Sequence, residues 1–125
     1  MKARDATLRL KRFEADEYSR KVANLECMIR DFQGMAADLE RQIQAEEDRT
    51  GVKDANHFAY STFAKSAAQR RNNLRASAAE LTNKLEAALK ARNDAVEQLA
   101  QVSAPEPREM QRSRRRIDRP AATLR

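Results

Sequence analysis

Between Val22 and Ile43 the apolar residues advance by three and four in turn: Val22, Leu25, Ile29, Phe32, Ala36, Leu39, Ile43. A 3.5-residue spacing held for this long puts all seven side chains on one narrow seam of a helix. The frame extends backwards through Tyr18, Ala15, Lys11 and Leu8. Ten of these eleven seam positions are apolar, in a chain that is 41% hydrophobic overall. Such a stripe stays exposed on a lone helix, so this helix must pair with something.

The rest of the chain offers a partner. Ala64, Ala67, Arg71, Leu74, Ala78, Leu81, Leu85, Ala88, Arg92, Ala95, Leu99 and Val102 keep the same spacing, with Arg71 and Arg92 the only polar members. Two seams of similar length, joined by about ten residues, favour an antiparallel hairpin. Pairing between two chains into a longer coiled coil is the alternative that the seams alone leave open. With a bend near residue 55, facing positions have numbers that add to about 110. Phe32 then faces Ala78, Leu25 faces Leu85, Leu39 faces Arg71 and Leu8 faces Val102. At 1.5 Å per residue the rod is on the order of 70 Å long, with a tip at one end and both termini at the other.

Local signals set the boundaries: helix 1 over about 2–49, a turn over about 50–61, helix 2 over about 62–103. Asp5 suits the positive end of the first helix dipole. Gly51 is placed to cap that helix in the left-handed conformation, and Ser61 to cap the next. Asp54 and Asn56 are further capping candidates, and a short helical turn fits within 54–60. Gly34 interrupts the first helix at a cost of about 1 kcal/mol relative to Ala. Pro105 and Pro107 stop the second helix. Residues 1–104 hold 18 basic and 16 acidic side chains, whereas 105–125 hold seven and three. The chain thus reads as an all-α, antiparallel two-helix coiled-coil hairpin over 1–104, followed over 105–125 by a disordered, basic, Pro-broken tail.

Composition limits the chemistry. With 5% aromatics, no Trp, two Gly and three Pro, the chain lacks the material for a thick core and suits long helices. No run of 18 apolar residues is present, and the first residues are charged, so the reading is a cytoplasmic protein with no transmembrane segment and no secretory signal. The single cysteine, Cys27, falls on the outward face with Arg20, Gly34 and Arg41, as an exposed free thiol. There is no Gly-rich phosphate loop, no nucleophile–base pair and no metal-ligand spacing, and His57 stands alone. A rod of this shape is expected to have no pocket. The expectation is a non-enzymatic protein with no cofactor and no metal.

Function then falls to surfaces. At the tip, Phe58, Tyr60 and Phe63 bring three of six aromatics into six residues. They either plug the end of the coiled coil or stay exposed as anchors for a partner. Arg70 and Arg71 follow one turn on. Arg71 sits on the seam, where it snorkels, specifies register or reaches a partner. At the other end, Lys2, Arg4, Arg9, Lys11 and Arg12 form a basic cluster, and the tail adds Arg112, Arg114, Arg115, Arg116 and Arg119. Such charge either keeps the rod soluble or meets an acidic protein surface, nucleic acid or anionic lipid. Nucleic acid is disfavoured because the tail has no stacking aromatics.

The stretch Ala55-Asn-His-Phe-Ala-Tyr-Ser-Thr-Phe-Ala-Lys-Ser-Ala-Ala-Gln-Arg-Arg-Asn-Asn-Leu74 resembles the middle of flagellar export proteins of the FliJ family, alphaproteobacterial type. Leu8-Arg-Leu-Lys-Arg-Phe13 and Met35-Ala-Ala-Asp-Leu39 look similar too, and the likeness covers roughly residues 1–100. It implies an antiparallel two-helix coiled coil and a soluble, stalk-like part of the flagellar type III export apparatus. Its partners would be the hexameric export ATPase, the export-gate membrane protein and export chaperones. Its place would be cytoplasmic, peripheral to the inner membrane at the flagellar base. On matching positions the resemblance assigns Phe58, Tyr60, Phe63, Arg70 and Arg71 to the gate, and Arg9, Lys11 and Arg12 to the ATPase ring. The chain departs from the family at Pro105 and Pro107, where the family's second helix continues. The rival expectations are a general coiled-coil adaptor and, behind it, a nucleic-acid binder acting through the tail.

Overall fold

The computed structural model describes residues 2–103. The expected basic tail over 105–125 lies outside the described residues. Helix α1 spans Lys2–Thr50 and helix α2 spans Thr62–Ser103. The two pack side by side along their length as an all-α antiparallel hairpin.

The register is the one the seams require. One core cluster joins Val22, Leu25 and Ile29 of α1 to Leu81 and Ala88 of α2, with Phe32, Leu85 and Leu89 packed against it. Position 22 thus lies level with 88, 25 with 85 and 29 with 81. A second cluster nearer the bend joins Leu39 and Ile43 to Ala64 and Ala67, flanked by Tyr60, Ala68 and Leu74. At the far end Lys11 Nζ donates to Gln98 Oε1 at 3.0 Å, and at the bend Ser61 Oγ donates to Glu46 Oε1 at 2.8 Å. One register therefore runs from end to end.

The helices contribute unequally to the core. Buried α1 residues include Val22, Leu25, Ile29, Leu39 and Ile43, whereas buried α2 residues are Ala64, Ala67, Ala78, Leu81, Ala88 and Ala95. Large lies over small at Val22 and Ala88, whereas Leu25 with Leu85 and Ile29 with Leu81 set large side chains against each other. Fully burying a Val, Leu or Ile is worth about 2 kcal/mol, and α1 supplies five of these against Leu81 of α2, while Leu74, Leu85 and Leu89 of α2 pack half-buried against the clusters.

Two expected seam positions behave differently. Tyr18 is exposed, and Lys11 is half-buried with its ammonium on Gln98. Both lie where the seam is thin, near the termini. Gly34 and Cys27 are exposed on the outward face, as their positions require. Among the described residues no helix is long and apolar enough to cross a membrane.

Candidate functional site

The bend is built by a chain of local hydrogen bonds. Gly51 takes a φ of 74°, and its N–H donates to the Glu47 carbonyl at 2.8 Å, ending α1. The Val52 N–H donates to Thr50 Oγ1 at 3.3 Å. Asp54 then organises a turn. Its carboxylate accepts from the Asn56 N–H at 2.9 Å, and its carbonyl accepts from the His57 N–H at 3.0 Å. A second turn follows, closed by the Tyr60 N–H on the His57 carbonyl at 3.0 Å. Two successive turns replace the single helical turn that the sequence allowed over 54–60. Ser61 caps α2 by accepting the Ala64 N–H at 3.2 Å.

Adjacent carboxylates of α1 clasp the start of α2. Tyr60 donates its hydroxyl to Glu47 Oε1 at 2.7 Å, while Ser61 donates to Glu46. Glu46 also accepts Arg49 Nε and a terminal guanidinium nitrogen at 3.0 and 2.6 Å. The Arg49 bond first, and then the Ser61 bond, hold the Glu46 carboxyl down to about 2. The Glu47 carboxylate raises the Tyr60 hydroxyl above its ordinary value.

The aromatics therefore divide. Tyr60 is half-buried and packs against the Leu39–Ile43 cluster. Phe58 stands at the apex with 96% of its surface exposed, stacked on His57 with ring centroids 4.6 Å apart. Phe63 is also exposed. One ring plugs the end of the coiled coil and two stay exposed.

The two arginines separate in the same way. Arg70 is exposed and lines an open groove of about 450 Å³ with Met35, Asp38, Leu39 and Leu74. The rod was expected to lack any pocket. A shallow groove nevertheless forms, because small Ser77 and Asn73 line it on the α2 side. Arg71 turns along the seam and donates to Glu40 Oε2, and Arg75 reaches the same oxygen at 3.6 Å. The Arg71 hydrogen bond holds the Glu40 carboxyl below the usual carboxylate range. Arg71 is thus bonded across the hairpin, whereas Arg70 stays on the exposed surface.

At the terminal end, Arg9 and Arg12 are exposed. Lys11 lies between them in sequence but is turned to Gln98, with Glu14 at 3.6 Å. Arg12 borders a cleft at the end of the rod with Arg4, Asp5, Leu8 and Val102. Among the described residues no group of three or more His, Cys, Asp or Glu side chains is placed to hold a metal.

Glu40, Glu46 and Glu47 are the site residues that the sequence reading missed. The signal was present: with the register near 110, Glu40 falls beside Arg71, and Glu46 and Glu47 fall beside the start of α2. No protein-family model, curated protein or solved structure matches the chain.

Proposed function

We propose that the chain is a non-enzymatic, stalk-like component of the flagellar type III export apparatus, coupling the hexameric export ATPase to the membrane export gate and handling export chaperones. The observation that carries this reading is a single unbroken register, running from the Lys11–Gln98 contact to the Glu46–Ser61 contact. It makes one rod with two chemically different ends: exposed Phe58, Phe63 and Arg70 at the tip, exposed Arg9 and Arg12 at the termini. The likeness of residues 55–74 to the FliJ family supplies the biological setting.

In this reading the terminal end enters the ATPase ring at the cytoplasmic side of the flagellar base, and the tip-proximal half faces the gate. An asymmetric hairpin inside a sixfold ring contacts its subunits unequally. It biases which subunit interface closes on nucleotide, and the nucleotide chemistry belongs to the ATPase. The deciding experiment measures binding and nucleotide turnover of the export ATPase of the same organism, with and without the purified chain. Stimulation that falls on charge reversal of Arg9 and Arg12, with helicity intact, supports the stalk role. Folded chain that neither binds nor stimulates rejects it in favour of a general coiled-coil adaptor.

A further inference from the structure

The rod turns partly inside out near its termini. From Val22 to Ile43 the large apolar side chains are within. At the level of residues 10–18 and 92–99 the buried positions are Ala15 and Ala95, each 5% exposed. Leu99 is half-buried on the seam, but most of the large apolar groups of this level are outside: Leu10 at 55%, Phe13 at 59% and Val96 at 48% exposed, with Tyr18 beside them.

These groups do not share one face. In the seam frame, Phe13 occupies the back of α1, directly away from α2. Leu10 and Tyr18 lie towards one flank of the hairpin, where Tyr18 borders a cleft with Ala91, Asp94 and Gln98. Val96 lies towards the opposite flank. A docked helix, or a lipid surface, covers one side of a rod. Apolar groups on three sides at one level call for a wall that goes around it.

Charge orders the level along the axis. Arg9 and Arg12 lie mainly on its terminal side, and Glu14, Asp16 and Glu17 on its tip side. A complementary wall is apolar at the middle, with carboxylates towards the rod's termini and cations towards its tip.

We propose that Leu10, Phe13, Tyr18 and Val96 form an apolar collar, gripped on several sides at once by a protein sleeve of that chemistry. The proposal rests on the stalk reading and specifies which side chains bear on the surrounding subunits.

The test places a photo-crosslinking phenylalanine analogue at position 13, 18 or 96, one position per sample, in the full chain mixed with the export ATPase and nucleotide. The expected result is ATPase adducts from all three positions, together with an at least tenfold loss of ATPase affinity in the triple variant L10Q/F13S/V96S. That variant keeps its helicity, because the replaced side chains are already exposed. Wild-type stimulation of the ATPase with adducts from one flank only would overturn the collar and leave the stalk reading standing. Adducts between two copies of the chain, with none to the ATPase, would overturn the collar by making its occupant a second copy. Absence of both stimulation and adducts would sink the stalk reading and the collar with it.

Discussion

Arg71 occupies a seam position of α2 yet meets its partner across the hairpin, donating from its guanidinium to the Glu40 carboxylate of α1. An unpaired arginine on a coiled-coil seam is costly, and this contact removes the cost while Arg75 adds a second positive charge to the same carboxylate. Glu40→Ala leaves Arg71 without its acceptor and is expected to lower stability by about 1 kcal/mol, discounted for the partial exposure of both groups. On a chain of this size that is a fall in Tm of roughly 5 °C. Arg71→Leu restores an apolar seam and is expected to be neutral or stabilising. Thermal and urea unfolding of the two variants checks both signs. Equal losses from both would mean that the arginine itself packs the seam.

Acid should loosen the hairpin at and beside the bend. Glu46 and Glu40 both have folded-state pKa values below the ordinary carboxylate value of 4.5. A depressed carboxylate stabilises the fold above its unfolded pKa, and that contribution disappears as pH falls through the folded value. For Glu46 the window runs from about 4.5 down to about 2. Unfolding midpoints measured across this range should fall with pH. In Glu46→Gln the slope should flatten, because the replacement does not titrate.

The two glycines should respond to alanine with opposite signs. Gly34 lies within α1 with nothing near a would-be Cβ, so Gly34→Ala is expected to stabilise by about 1 kcal/mol. Gly51 also has open space, but its φ of +74° disfavours any L side chain. Gly51→Ala is expected to destabilise by about 1 kcal/mol. Paired denaturant titrations decide this, and a stabilised Gly51→Ala would show that the bend relaxes out of the left-handed conformation.

Phe58 and Tyr60, two residues apart, should separate binding from stability. Phe58→Ser removes a ring that is almost wholly exposed and should leave Tm within about 2 °C of wild type, since exposed substitutions are generally near neutral. Tyr60→Phe deletes the hydroxyl bond to Glu47 and is expected to lower Tm. On the proposed gate-facing role of the tip, affinity for the export-gate protein, measured by calorimetry on both variants, should fall for Phe58→Ser and hold for Tyr60→Phe.

The fold was legible because it is nearly one-dimensional. Once Val22–Ile43 and Ala64–Val102 are seen as seams and Gly51 and Ser61 as caps, the register follows by counting. Individual side chains at the bend were less legible. Nothing in the spacing of Phe58, Tyr60 and Phe63 says that Tyr60 is half-buried against the core while both phenylalanines stay exposed. That depends on two successive turns after Asp54, whose geometry follows from side chain-to-backbone bonds. Arg71 was readable as a seam residue, and its partner became readable only once the opposing register was fixed. The exposed Leu10 and Phe13 lie off the seam, so the 3.5-residue spacing carries no sign of them.

The antiparallel register also sets the order in which the molecule closes. Contacting residues are 15 apart in sequence where Ser61 meets Glu46, 31 apart where Arg71 meets Glu40, and 87 apart where Lys11 meets Gln98. Loop-closure entropy is smallest at the bend, so pairing nucleates there and zips outward, and each added pair inherits the order of the one before. Opening runs the other way. The terminal level, where Ala15 and Ala95 are the fully buried residues, is the first to fray and the last to close. A wall gripping that level would hold shut the part of the zip that most readily comes undone.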